Sequence, residues 1–476
     1  MWQTTRREFL RTATMGAAVL GACRTGGAVQ IPGGQRPPQA AGVEVLNPCG
    51  RVPLSLFIDD STSLVNLAYY AMPQFATVWP DRVEYQKDWR RWPREIPDSF
   101  IREFAEWCGD HGVKGKYSLV PYPACVGWLD RELPGWSRQE LAASLRLVRE
   151  ALLPHWDIHP EMVSHTWMID VKTGRPISDV SPAAMENWYP GAPKSADELA
   201  GYIAYALRIL KNCGFSCEGV TSPGGFGNGA ESAYALAVRQ AVADVCGAEV
   251  PHYLKYTSAT DASCQPRVEH VEGLETDHPR LVVNVRGATG DWFGGWSGDA
   301  QPDADRYANR DATSGRMVDL IERGEPAVML CHWPGLHSNG TKRGFERCKQ
   351  VILALQARFG DRTIWLKAGE LARYWAAREL TGIERQEGRV TLTAPVAAPG
   401  FTLHVGSAAK VSPQLRRDNV PLPLGEVCTR AALKPGTWLR EAGGVIVCFD
   451  LPRGTITLDV GAGARLPSPL REPSPG

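Results

Sequence analysis

The sequence has no surplus of charge of either sign, with 52 Lys and Arg against 52 Asp and Glu in 476 residues. That balance removes the electrostatic drive for wholesale binding to nucleic acid or to an anionic membrane surface. No segment is long and apolar enough to cross a bilayer as a helix, so any membrane attachment has to come from an anchor. The cysteines lack the paired CxxC spacing of a structural zinc site. The glycine-rich stretch "GGFGNG" has no lysine after it, which makes it a weak phosphate cradle. The chain is nonetheless long enough for one large domain and one small one.

The N-terminus carries an address. "TTRREFLRTATMGAAVLGAC" sets twin arginines, Arg6 and Arg7, before a short, weakly apolar run, the pattern of a twin-arginine export signal. The run closes on "LGAC", which resembles a bacterial lipobox and by that resemblance makes Cys23 the lipidated first residue of the mature protein. The plainer alternative is export with ordinary cleavage nearby. An exported chain with 12 cysteines can be oxidised, and with Cys23 set aside the remainder is odd. Cys213 with Cys217 and Cys428 with Cys448 are the pairs that local spacing offers.

Five regions follow from composition: a signal over 1–23, a Gly- and Pro-rich tether over 24–45, an α/β domain over 46–384, a β-rich module over 385–465, and a tail over 466–476 without regular structure. In the α/β domain, strands and helices alternate. "PLSLFIDD" is a buried strand ending on Asp59 and Asp60. "PDSFIREFAEWCGDHGV" reads as a helix capped by Asp98 and stopped by Gly112, and "KGKYSLVPY" as the next strand. Ser137 with Glu140, and Ser195 with Glu198, form capping boxes that open two more helices. "EMVSHTW", "CEGVTSPGG", "RLVVNVRG", "PAVMLCHW" and "RTIWLKA" read as further strands. "HWDIH" has zinc-helix spacing, but Pro154 and Pro160 bracket it, so it reads as a solvent loop. The alternation predicts a parallel (β/α) barrel, with Asp59, Asp60, His165, Thr221 and His332 at the strand ends that form its mouth. The module over 385–465 alternates β-formers with turn residues and predicts a small β-sandwich.

The order of these segments resembles the polysaccharide deacetylase family of metal-dependent carbohydrate esterases. "LFIDDST" is similar to the family's TFDDG strand end, "EMVSHTW" to its EIGSHTW segment, "GVTSPGG" to its RPPYG motif, and "AVMLCHW" to the strand ending in its catalytic histidine. The resemblance implies a deacetylase-like barrel and a divalent metal, zinc or similar, held by Asp60 and His165. Asp59 would be the general base, and His332 the acid that protonates the leaving group, oriented by Asp291. Three departures fall inside the motifs. Ile169 stands four residues after His165, where the family has a second histidine, so Asp170 is the stand-in ligand. Thr221 replaces the arginine that orients the base, and Ser61 and Thr62 replace a glycine.

Each candidate has a plainer reading. Two adjacent aspartates often only end a strand in a turn, and Asp170 precedes the turn-like "VKTG". His165 could simply cap a strand, and "HWPGLH" could be an ordinary Pro-Gly turn. Half of the 16 tryptophans fall in expected loops, where flat indole faces suit stacking on sugar rings. Trp167, Trp292, Trp296 and Trp333 lie beside the polar mouth residues and are the candidate substrate-binding faces. Three functions follow as expectations: deacetylation of a glycan; glycoside hydrolysis by paired carboxylates such as Asp59 or Asp60 with Asp170 or Asp291, without metal; or glycan binding without catalysis.

Overall fold

A computed structural model describes residues 34, 36–406 and 412–461. The export signal, Cys23 and the tail over 466–476 lie outside the described residues. No helix among the described residues is long and apolar enough to cross a membrane.

The first strand, β1 (Val43–Val45), lies in the segment expected to be tether, yet it pairs with a strand of the C-terminal module, Val43 opposite Val405. Every residue of β2 (Val52–Asp59) is buried. β3 (Gly115–Ser118) and β4 (Trp156–His159) run parallel to it. Gly115 permits the close approach of β3, because a Cβ there would fall 1.8 Å from the Leu56 carbonyl oxygen. β4 is the stretch read from sequence as a solvent loop. Its two prolines bound a buried strand, because a proline just outside a strand costs the ladder no hydrogen bond. The expected "EMVSHTW" strand is instead the loop that leaves β4.

β5 (Gly219–Thr221), β6 (His252–Leu254) and β8 (Arg280–Asn284) form a second parallel set, and β7 (Arg267–Glu272) pairs antiparallel with β8. β9 (Ala327–His332) returns to β2 with His332 opposite Asp59, and β10 (Thr363–Trp365) joins the start of β2. The two sheets meet at two seams. At one, Thr221 N donates to Pro160 O over 2.9 Å; at the other, Ala288 N donates to Val328 O over 2.9 Å. Neither seam is a continuous ladder among the described residues, so the expected closed barrel is present only as one parallel and one mixed sheet stitched at their edges.

Helices fill the crossovers: α1 (Leu67–Val78), α2 (Asp98–Asp110), α3 (Arg138–Leu147), α4 (Ala196–Asn212), α5 (Glu231–Cys246), α6 (Arg316–Glu322), α7 (Arg343–Phe359) and α8 (Ala368–Leu380). Both expected capping boxes form. Glu140 N donates to Ser137 Oγ over 3.2 Å and Glu198 N to Ser195 Oγ over 3.2 Å. Gly112, at φ 64°, follows the end of α2 as expected. Asp98 does not cap α2; it is the helix's first residue and accepts from Ser144 Oγ over 2.7 Å.

The C-terminal module holds two mostly antiparallel five-stranded sheets. β11 (Gly382–Gln386), β12 (Arg389–Ala394), β14 (Gln414–Arg417), β15 (Val420–Leu422) and β19 (Gly454–Asp459) form one. β13 (Ala398–Gly406), β16 (Gly425–Glu426), β17 (Thr437–Glu441), β18 (Gly444–Leu451) and the N-terminal β1 form the other. Alternate residues such as Leu403, Val405, Val447, Leu392 and Leu458 are buried and belong to the same contiguous core as the strands of the α/β domain.

Candidate active site

The strand end at β2 and the loop after β4 converge. Asp60 sits at φ 59° and His165 at φ 67°, left-handed conformations that residues other than glycine seldom adopt and that recur at functional sites. His165 Nε2 lies 2.7 Å from Asp60 Oδ1 and 3.5 Å from Glu161 Oε1. Asp60 N donates to Glu161 Oε2 over 2.8 Å. One donor atom from each of Asp60, Glu161 and His165 falls within 4.8 Å of the other two, and all three residues are buried. Two buried carboxylates facing one imidazole nitrogen need positive charge between them, which a protonated imidazole or a divalent cation supplies. Burial alone would depress the His165 pKa, but Asp60 and Glu161 hold it well above the usual imidazole range. An imidazole and two carboxylates are a donor set that a divalent ion such as zinc accepts.

The loop carrying Glu161 and His165 is irregular, and Glu186 holds its shape. The Glu186 carboxylate accepts from Val163 N at 3.1 Å, Ser164 N at 3.0 Å and His165 N at 2.5 Å, and from the Tyr202 hydroxyl. Burial pushes Glu186 up to about 7, against the hydrogen bonds from Tyr202, Ser164 and His165.

Asp59 is not a solvated base. Lys116, itself fully buried, donates to Asp59 Oδ1 and also to Ile58 O at 3.1 Å and Ser118 Oγ at 2.9 Å. Burial raises the Asp59 pKa, while Lys116 acts against the rise. Lys116 thus supplies a cation beside Asp59, where the sequence resemblance leaves Thr221 in place of an arginine. Thr221 is buried and its Oγ1 lies 3.4 Å from His159 Nδ1. On the neighbouring strand, His332 Nδ1 is 2.8 Å from Asp291 Oδ2, and Asp291 Oδ1 accepts from Phe293 N at 2.9 Å. Burial would lower the His332 pKa, but Asp60, Asp291 and Asp59 raise it to about 10.

Of the sequence candidates, Asp59, Asp60, His165, Asp291 and His332 therefore gather at these strand ends. Asp170 does not belong to the three-donor cluster. It sits in a two-residue ribbon and accepts from Lys172 N at 2.9 Å and Thr173 Oγ1 at 3.0 Å, the turn role that Asp often takes. Trp333 is fully buried, packed on Phe100 at 4.7 Å and Tyr117 at 5.3 Å between ring centroids, and offers no stacking face. Trp292 is half-buried, with the Arg306 guanidinium 4.2 Å from its ring centre. Trp167 and Trp296 share an apolar cluster with Phe75, Trp79 and Tyr85, and the Tyr85 phenol is near enough to His165 to feel its charge. Lys87 ties this wall together by donating to Asp299 Oδ1 at 2.7 Å and Ser297 Oγ at 2.9 Å.

Sequence reasoning missed Glu161, Lys116 and Glu186. Glu161 had a signal, a carboxylate four residues before His165, whereas the family resemblance points four residues after it, to Ile169 and Asp170. Lys116 and Glu186 had none, since a lysine in a strand and a glutamate in a loop ordinarily face water.

No family model matches this chain, and no curated protein matches it either. Among solved structures, it is similar to an Anoxybacillus alpha-amylase at 9% identity and TM-score 0.29, over 87% of this chain and 99% of that one. It is also similar to a Thermotoga maritima alpha-fucosidase in complex with fucose at 11% identity and TM-score 0.28, over 87% of this chain and 97% of the other. Superpositions this loose do not equate two folds, and the geometry above stands without them.

Proposed function

We propose that this chain is a carbohydrate-active hydrolase centred on Asp60, Glu161 and His165, and that its reaction is deacylation of a glycan. The convergence of those three donor atoms carries the reading. A divalent cation held there would act as a Lewis acid on a water and on the acyl carbonyl. The chain's own groups then have separate tasks. His332 binds Asp291 through Nδ1, which leaves Nε2 to give a proton to the departing sugar oxygen or nitrogen, and the Asp291 carboxylate steadies the imidazolium before that transfer. Lys116 fixes Asp59 at the floor of the site, where the carboxylate can take the proton released by the attacking water. Trp167, Trp296 and Tyr85 form an aromatic wall next to His165, suited to a sugar ring. The same proposal has the chain exported by its twin-arginine signal and anchored through a lipid on Cys23.

Glycosidic cleavage is the second reading, favoured by one observation: Asp59 is a buried carboxyl held above its usual range, a property of a general acid, beside the carboxylates of Asp60 and Glu161. Metal analysis of the purified protein together with product analysis on acetylated oligosaccharides separates the two. One equivalent of a divalent ion, lost in Asp60→Ala, Glu161→Ala and His165→Ala, with acetate released, supports deacylation. Reducing sugar released by metal-free protein supports the glycosidase. Sugar binding with neither product overturns both in favour of a binding protein.

A further inference from the structure

Neither of the two cysteine pairs that sequence spacing suggests, Cys213 with Cys217 and Cys428 with Cys448, is bridged. Cys428 is exposed, and Cys448 on β18 faces Cys49 instead, Sγ to Sγ 3.8 Å, with both sulfurs buried. The two residues are 399 positions apart. Cys49 lies in the short turn between β1 and β2, and Cys448 lies within the sheet that β1 joins. All eleven described cysteines are unbridged here.

We infer that Cys49 and Cys448 form a disulfide under oxidising conditions, taking a small organic disulfide as the oxidant. A disulfide draws its sulfurs to about 2.05 Å. The remaining closure is smaller than the sweep of a thiol between rotamers about its Cα–Cβ bond. The site is also shaped for a sulfur: a Cβ on Gly400, which sits at φ 64°, would come 2.9 Å from Cys49 Sγ. Cys49 lines a cavity of about 420 Å³ with Asp157, Lys367 and Tyr374, which offers a small reagent a route to it. Cys448 holds the Cys49 thiol below its ordinary range, burial opposes this, and Arg51 reinforces it, so Cys49 is the attacking sulfur. Its thiolate breaks the S–S bond of the donor, forming a mixed disulfide and releasing one small thiol. Cys448 then loses its proton, attacks the Cys49 sulfur and expels the second small thiol. Two electrons pass from the protein sulfurs to the donor, and the two thiol protons leave on the released thiols. The bond would staple the entry of β2 to the C-terminal sheet and close a loop that spans most of the chain.

The test is peptide mapping of the full chain after incubation with oxidised glutathione, denatured and alkylated with iodoacetamide before any reductant is added. The expected result is one linked peptide joining Cys49 and Cys448, neither alkylated, with both becoming alkylated after dithiothreitol. Cys428→Ser keeps the link. Cys448→Ser loses it and leaves Cys49 as a glutathione adduct. The oxidised protein melts at a higher temperature than the reduced one. Alkylation of both Cys49 and Cys448 without reductant, or a link from Cys448 to Cys428, overturns the inference. Should Cys448→Ser fail to fold, the wild-type and Cys428→Ser maps still decide it.

Discussion

Two histidines stand at neighbouring strand ends and are held there in opposite ways. His332 closes β9, directly opposite Asp59, and a parallel ladder of six paired residues fixes its backbone. His165 sits at φ 67° in a loop with no ladder. Its position depends on one buried carboxylate, Glu186, that accepts from three consecutive backbone N–H groups. The sheet thus places one histidine as a by-product of folding, while the other needs a dedicated polar support. A support of that kind is strong when complete and costly when broken, because each stranded N–H then lies in a medium that cannot solvate it.

Breaking that support should give the largest effect on stability. Glu186→Ala leaves three buried N–H groups without an acceptor, at roughly 1–3 kcal/mol each, so urea unfolding is expected to show a loss of about 3 kcal/mol or more. Any metal carried by the wild type should be lost with it. An unchanged unfolding midpoint would mean the loop holds itself. His332→Ala is the converse case. Its backbone is set by the ladder, so any metal carried by the wild type should stay bound, while turnover on an acetylated sugar falls by about 10²–10⁴-fold. Loss of the metal in His332→Ala as well would erase the contrast.

Titration sharpens the contrast further. In metal-free protein the His332 pKa is raised to about 10 by Asp60, Asp291 and Asp59 against its burial. The stabilisation from that imidazolium is complete below the ordinary imidazole pKa of about 6.5 and is lost as pH rises through about 10. Nuclear magnetic resonance of the ring should show Asp291→Asn moving this titration down, and no movement would detach Asp291 from His332. A buried histidine pair behaves oppositely. His159 and His252 lie Nε2 to Nε2 at 3.0 Å in the core, and burial holds both pKa values below the usual range. Their neutral forms stabilise the protein above about pH 6.5, and that contribution is lost as pH falls through their depressed values. Thermal melts across pH 7 to 4 should therefore fall less steeply in His252→Asn than in the wild type. The smallest effect expected is that of Ser195→Ala at an exposed helix start, about 1 kcal/mol on thermal unfolding. It calibrates the scale against which the loop support is judged.

Local signals read well wherever a residue's partner lies within a few positions. The capping boxes at Ser137 and Ser195, the stop at Gly112 and most strands are of this kind. The aspartate pair at the end of β2 was visible because polar residues rarely interrupt an all-buried run without purpose. The misreadings share a different cause. "HWDIH" is a strand because β3 lies alongside it, and its prolines could not reveal that. Trp333 sits one residue after His332, yet the short helical turn at Trp333–His337 carries it into the core. Asp170 has the right chemistry but belongs to a ribbon that satisfies it locally. The third donor was present in "EMVSHTW" all along, and a backward count of four from His165 would have found Glu161.

By itself, the sequence determined the alternation of strands and helices, their caps and turns, the change to β-rich structure near residue 385, and the polar residues at the ends of β2 and β9. These depend on propensity, periodicity and hydrogen bonds between near neighbours. Only the tertiary structure decided that Glu161 joins Asp60 and His165, that Lys116 serves Asp59, that Glu186 shapes the loop, and that Cys49 faces Cys448. Each is a meeting of buried groups distant in sequence, and its energy exists only once packing has removed water from both partners.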